Sequence, residues 1–182
     1  MEREYALASA ADDPPGRAEP PGRTDSPGRT DPPGRTDPLG LAFAEARAAA
    51  ARGEVPVGAV IVRDGVLLAA AGNRTVADRD PTAHAEMLAV QAACVAVGSE
   101  RLTGCDLYVT LEPCAMCAAA ISLARVRRLY YAAPDPKGGG VAHGARFYAQ
   151  PTCHHAPDVY GGLREREAAE MLRRFFRERR DG

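Results

Sequence analysis

Cys114 and Cys117 stand three residues apart in LEPCAMC, residues 111–117, and this pair narrows the possible folds more sharply than any other feature. Residues i and i+3 on a helical turn share a face, so both thiols can reach one metal ion. Such a pair belongs to a metal site or a redox pair. A closed structural zinc site would add a second pair of cysteines, or a pair of histidines. No second C-x-x-C occurs in the 182 residues. A further ligand must come from a segment remote in sequence, and the fold must bring the two together.

The expected partner is His84, in TAHAE, at the start of another apolar helical run. Two thiolates and one imidazole suit Zn²⁺ and leave the fourth tetrahedral position open, which is the ligand count of a catalytic zinc rather than a structural one. A helix N-terminus favours thiolates through its partial positive charge. Glu86, two residues beyond His84, is placed to stand near the metal without ligating it and to carry protons.

The rest of the chain supplies a scaffold for this meeting. Residues 14–37 read PPGRAE PPGRTD SPGRTD PPGRTD, a hexapeptide repeated four times without a large apolar side chain. It cannot build a core and matches no solenoid period, so residues 1–37 are expected to form a disordered tail and residues 38–182 the folded domain. PLGLAFAEARAAAARG predicts a helix from about Leu39 that Gly53 ends. VPVGAVIVRDGVLLAAAGN predicts a hairpin turning at Asp64-Gly65. A helix from about Thr82 to Gly98, a strand over 106–111, the helix CAMCAAAISLA and the strand VRRLYYAA follow. After a loop, PDPKGGGVAHG, and an irregular segment comes a final helix, LREREAAEMLRRFFRERR. This order predicts a mixed sheet with helices on both faces. The second and third helices each follow a strand, so their N-termini are expected at one edge of the sheet.

Charge adds little by its total of −1. Five of the 23 basic and eight of the 24 acidic residues fall in residues 1–37, leaving the remainder at +2. Its basic residues gather in RVRR (125–128) and RRFFRERR (173–180), compatible with a nucleic-acid partner. No apolar run reaches the roughly 18 residues of a membrane span, and the N-terminus lacks a signal-peptide core, so no membrane association and a cytoplasmic location are expected. In a reducing compartment the five cysteines are read without disulfides; Cys94, Cys105 and Cys153 are read as buried or incidental.

The combination of H-A-E with a later P-C-x-x-C is the signature of zinc deaminases of nucleobases. The chain resembles the zinc-dependent cytidine/adenosine deaminase superfamily, and within it the bacterial TadA-type tRNA-specific adenosine deaminases. The resemblance is carried by EVPVGAVIV (54–62), GNR (72–74), DPTAHAE (80–86), LYVTLEPCAMC (107–117), APDPKGGG (133–140) and FFRERR (175–180). It implies a three-layer α/β/α cytidine deaminase-like fold with a mixed central sheet, usually as a homodimer. It implies hydrolytic conversion of adenosine to inosine at the wobble position of a tRNA anticodon stem-loop, by a zinc-bound hydroxide. Motif by motif, His84, Cys114 and Cys117 would hold one zinc ion per subunit and Glu86 would shuttle protons.

The same resemblance assigns substrate contacts. Asn73 matches a family Asn that bonds the target nucleotide; by itself it is a turn residue closing the second strand. Pro56 and Val57 match a pocket wall, or simply open a strand. Asp135 and Lys137 match a loop near the substrate backbone, or form only a turn. Phe175 and Phe176 match a C-terminal helix near the RNA, where one Phe of such a pair is expected in the core. The chain departs from the family at Ala119, where Gly is common, and at GARFYAQ (144–150), which bears on local packing and on subunit or RNA contacts. A free-base or nucleoside deaminase of guanine or cytosine type shares H-A-E and P-C-x-x-C and is the alternative. A zinc-stabilised nucleic-acid-binding module without catalysis is opposed by Glu86 and by the three-ligand count.

Overall fold

The computed structural model describes residues 37–180; the repeat expected as a tail lies outside the described residues except for its last residue, Asp37. Asp37 opens helix α1 (Pro38–Ala51) by accepting the Gly40 N–H at 2.9 Å, next to a proline that has no N–H to satisfy. Leu39, Ala42, Phe43, Ala46 and Ala49 form its buried stripe.

Strands β1 (Gly58–Arg63) and β2 (Val66–Gly72) pair as an antiparallel hairpin. Asp64 and Gly65 turn it with φ of 52° and 80°, the paired positive values of a type I′ turn. Strand β3 (Cys105–Leu111) is antiparallel to β1 on its other side, and β4 (Arg128–Ala133) and β5 (Asp158–Gly161) continue in parallel, giving the order β2-β1-β3-β4-β5. Both β2 and β3 oppose β1, so they run the same way and end at the same edge. Helix α2 (Ala85–Val97) follows β2 and helix α3 (Ala115–Leu123) follows β3, so both helix starts meet at that edge, as the element order predicts.

Alternation along β1 separates two cores. Ala59 and Ile61 face α2 and α3, with Ala85, Ala89, Ala93 and Ile121. Val60 and Val62 face α1 and helix α4 (Glu165–Glu178), with Phe43 and Ala168. The result is the three-layer α/β/α arrangement with a mixed sheet. Gly58 and Gly72 are register partners under α1, and a Cβ on Gly72 would lie 2.6 Å from the Glu45 carbonyl, so both glycines let the helix backbone rest on the hairpin. Among the described residues no helix is long and apolar enough to cross a membrane.

Two elements differ from expectation. Helix α2 begins at Ala85, not Thr82, because Asp80 Oδ1 accepts both the N–H and the hydroxyl of Thr82 at 2.7 Å and keeps that stretch a turn. The irregular segment contains β5, four exposed residues with no alternation to mark them. Pairing with β4 holds it, together with a stack of Tyr160 on Tyr130 and Tyr130 on Tyr108, with ring centroids 4.9 and 4.5 Å apart.

Candidate active site

His84 and Cys114 occupy equivalent places: each is the extended residue that precedes its helix, α2 or α3. Cys117 lies one turn into α3 and is buried. Their ligand atoms, His84 Nδ1 and the two Sγ, all lie within 4.8 Å of one another. Nδ1 is 3.8 Å from Cys114 Sγ and 3.5 Å from Cys117 Sγ. A tetrahedral zinc with ordinary bond lengths puts its nitrogen and sulfur ligands about 3.6 Å apart, so the donor set and its spacing fit that ion. The two neighbouring thiols shift each other's pKa in opposite directions. The hydrogen bond from Cys117 draws Cys114 down to about 4, and that bond together with burial pushes Cys117 up. The bond to Cys114 in turn raises His84. A divalent cation at this point would favour both thiols as thiolates.

Glu86, in the first turn of α2, is only 4% exposed, and burial raises its carboxyl above the ordinary carboxylate range. Asn73 closes β2 from the other side. Its Oδ1 accepts the Ala85 N–H at 2.8 Å, so the side chain ties the hairpin end to the helix carrying His84 and Glu86.

Two buried carboxylates build the surrounding walls. Glu112 accepts the N–H groups of Val141, Ala142 and His143 on Oε1, at 3.2, 2.8 and 2.9 Å. Its Oε2 accepts the Asp135 N–H at 3.0 Å and lies 2.7 Å from His143 Nδ1. The glycine-rich loop is thereby folded over Cys114, with which Gly139 forms a β-bridge. A Cβ on Gly139 would lie 2.6 Å from Glu112 Cδ, and one on Gly140 would meet the Ala115 backbone. Across the site, Glu54 accepts the Ala77 N–H at 2.8 Å, the Val76 N–H at 3.1 Å and the Thr75 hydroxyl at 3.2 Å. Burial alone would raise both acids; in each, the converging donors outweigh it and hold the carboxyl below its ordinary range. Neither residue carries a metal or catalytic signature in sequence. What marks them is a lone acid beside apolar strand residues, in GEVPV and in TLEPC.

These elements enclose a cavity of about 310 Å³ lined by Val55, Val57, Asn73, Thr75, His84, Glu86, Leu111, Glu112, Cys114, Asp135 and Gly138. Of the expected substrate contacts, Val57, Asn73 and Asp135 therefore line it with His84 and Cys114 of the Cys-Cys-His cluster. Pro56 is fully buried and is not among the lining residues. Lys137 opens instead on an adjoining groove of about 880 Å³, which shares Val55, Leu111, Asp135 and Gly138 with the cavity. The far side of that groove is α4, with Arg173, Phe176 and Arg177, and Arg180 just beyond its end. Phe175 turns into the core while Phe176 is half-exposed in the groove. The GARFYAQ segment forms a short 3₁₀ turn (Phe147–Ala149) and packs Tyr148 against the α2–α3 core.

Residues 37–133 match the cytidine and deoxycytidylate deaminase zinc-binding region. A tRNA-specific adenosine deaminase of Agrobacterium fabrum (strain C58 / ATCC 33970) is 66% identical over 140 residues, covering 77% of this chain and 92% of that protein. A solved structure from biochemical and structural studies of A-to-I editing by tRNA:A34 deaminases at the wobble position is 64% identical. It covers 76% of this chain and 100% of its own, with a TM-score of 0.74. A guanine deaminase from Nitrosomonas europaea is 27% identical with a TM-score of 0.65, covering 76% of this chain and 82% of its own.

Proposed function

The chain belongs to the cytidine and deoxycytidylate deaminase family, among its tRNA-specific adenosine deaminases, and from that premise we propose that it converts adenosine to inosine at the wobble position of a tRNA anticodon stem-loop. The observation that carries this reading is the placement of Glu86 beside the His84–Cys114–Cys117 cluster, in a base-sized cavity that opens on a longer groove. An enzyme acting on one base of a polymer must take that base into a pocket and hold its neighbours outside. The cavity suits the extruded adenine. The groove offers Phe176 for stacking and Lys137, Arg173, Arg177 and Arg180 for phosphates.

His84 Nδ1 and the Cys114 and Cys117 thiolates would hold one zinc ion per subunit. Bound there, zinc supplies an electrophile that lowers the pKa of water to about 7. The protons fall to Glu86. Where converging N–H groups drive Glu54 and Glu112 towards the carboxylate, burial drives Glu86 towards the acid. Its place in the first turn of α2, buried beside the cluster, suits a group that must both take and give a proton. Glu86 accepts a proton from the attacking water, donates one to ring N1 as oxygen bonds to C6, and passes the second water proton to the amino group. The C6–N bond breaks, ammonia leaves, and the 6-oxo, N1–H form of inosine remains. Asn73, fixed by Ala85, would orient the nucleotide, with Val57 against the base and Asp135 and Lys137 beside its backbone. Val95 and Leu123, two well-exposed apolar residues of the α2–α3 layer, support a homodimer through that layer.

The alternative, a free-base deaminase, has the guanine deaminase likeness in its favour and leaves the basic groove without a purpose. The test is incubation with an unmodified tRNA transcript carrying adenosine at position 34 and, separately, with guanine, cytosine, adenosine and cytidine. Inosine at the wobble position without turnover of the small compounds is the expected result. Turnover of a free base with an inert tRNA would move the substrate to the small-molecule class.

A further inference from the structure

We propose that Glu54 is a positioning residue for the substrate, a buried carboxylate that sets where the Asn73–Thr75 wall of the cavity stands. It is 1% exposed and is not itself among the residues lining the cavity. Its neighbours on one side are Val55 and Val57, which line the cavity. Its side chain reaches across 21 to 23 residues of sequence to Thr75, which lines the cavity with Asn73, and to Val76 and Ala77 just beyond it. One carboxylate thus fastens two walls to each other.

Its own position is set from below. The Glu54 N–H bonds the Ala49 carbonyl at 3.0 Å at the end of α1, and the guanidinium of Arg179, the residue that caps α4, donates to the Gly53 carbonyl. The other ties of the segment it grips are mostly local to the turn: the Asp78, Arg79 and Asp80 N–H groups bond the carbonyls of Arg74, Val76 and Thr75, and Arg74 pairs with Asp78, while the Asn73 N–H bonds Val57 O and the Arg74 N–H bonds Ala83 O, both at 3.0 Å. Burying a carboxylate costs free energy that an apolar residue would not, so a charge here is weak support for stability as such. What a charged acceptor adds is a fixed point onto which backbone N–H groups and a hydroxyl converge. Those groups belong to the strand-to-helix connection that aims Asn73 at Ala85, beside His84 and Glu86.

The inference rests on the proposed tRNA reading only for its substrate. The test is Glu54→Gln, isosteric but with an amide N–H₂ facing at least one of the donors, assayed with the A34 transcript after zinc per chain and thermal unfolding have been measured. The expected result is a normal zinc content and KM raised roughly tenfold or more with kcat changed far less, because a displaced wall weakens binding before it alters proton transfer. A folded, zinc-loaded Glu54→Gln protein with wild-type KM would overturn the proposal. Should that variant fail to fold, Thr75→Val decides the matter: it keeps the carboxylate and removes one donor, and a several-fold rise in KM supports the proposal while an unchanged KM overturns it. If the wild-type protein leaves the transcript untouched and deaminates a free base, the tRNA reading fails separately and the same comparison is made with that base.

Discussion

Replacing Glu112 by Gln removes one charge and one acceptor from the most heavily bonded side chain of the site. The amide carbonyl can keep the three N–H groups of Val141, Ala142 and His143, leaving its N–H₂ to face the Asp135 N–H and His143 Nδ1. The imidazole can change tautomer and accept; the Asp135 N–H cannot. One buried donor is orphaned, at about 1–3 kcal/mol, and the surviving bonds lose their charge-assisted strength, so the total is about 2–5 kcal/mol. For a domain of this size that lowers Tm by about 5–15 °C. The pH dependence gives the sign. Folded Glu112 sits below its ordinary range, so its stabilisation is complete above the unfolded value of about 4.3 and drains away as pH falls towards the folded value. The gap between wild type and Glu112→Gln, followed by urea unfolding, should therefore be constant from neutrality to about pH 5 and shrink below it. A gap under about 0.5 kcal/mol at neutral pH, or one that widens in acid, would refute the idea that Glu112 is an ionised hub.

Glu86→Ala should retain zinc and lose about two to four orders of magnitude in kcat, measured by inosine formation under saturating tRNA; a near-normal rate would remove it from the proton path. Cys114→Ala should lose bound zinc by elemental analysis and lose stability with it, since two ligands rarely hold the ion. Deleting residues 1–36, which leaves the Asp37 cap of α1 in place, should change kcat/KM by no more than about twofold, and collapse of folding would show that the repeat belongs to the domain.

How much of this was legible in the sequence follows from how restrictive each piece of chemistry is. Zinc tolerates few donor types at few spacings, so His84, Cys114 and Cys117 are marked by identity alone, and the cluster they form is the one their motifs predict. Turn geometry is nearly as restrictive: Asp64-Gly65 takes the paired positive φ its sequence demands, and Gly98 ends α2 at φ 70°. The start of α2 was not legible, because a side-chain bond from Asp80 competes with the helix and only coordinates show that it wins. Nor was β5, whose exposed residues owe their place to a tyrosine stack and a neighbouring strand.

The buried acids are the instructive case. Glu54 and Glu112 bind mostly backbone N–H groups, and a backbone N–H has no letter in the sequence. Three glutamates lie within or beside one small cavity, all nearly inaccessible to solvent. Residue type cannot separate them; the number of converging donors can. Glu112 receives four backbone N–H groups and Glu54 two and a hydroxyl, and these donors hold both carboxyls below their ordinary range. For Glu86 burial prevails and raises the carboxyl, which sets it apart from the other two as the proposed proton carrier. The division between structural and chemical carboxylates at this site is thus made by the backbone around them, and a substitution that freed a donor to reach Glu86 would be expected to cost turnover without touching a ligand.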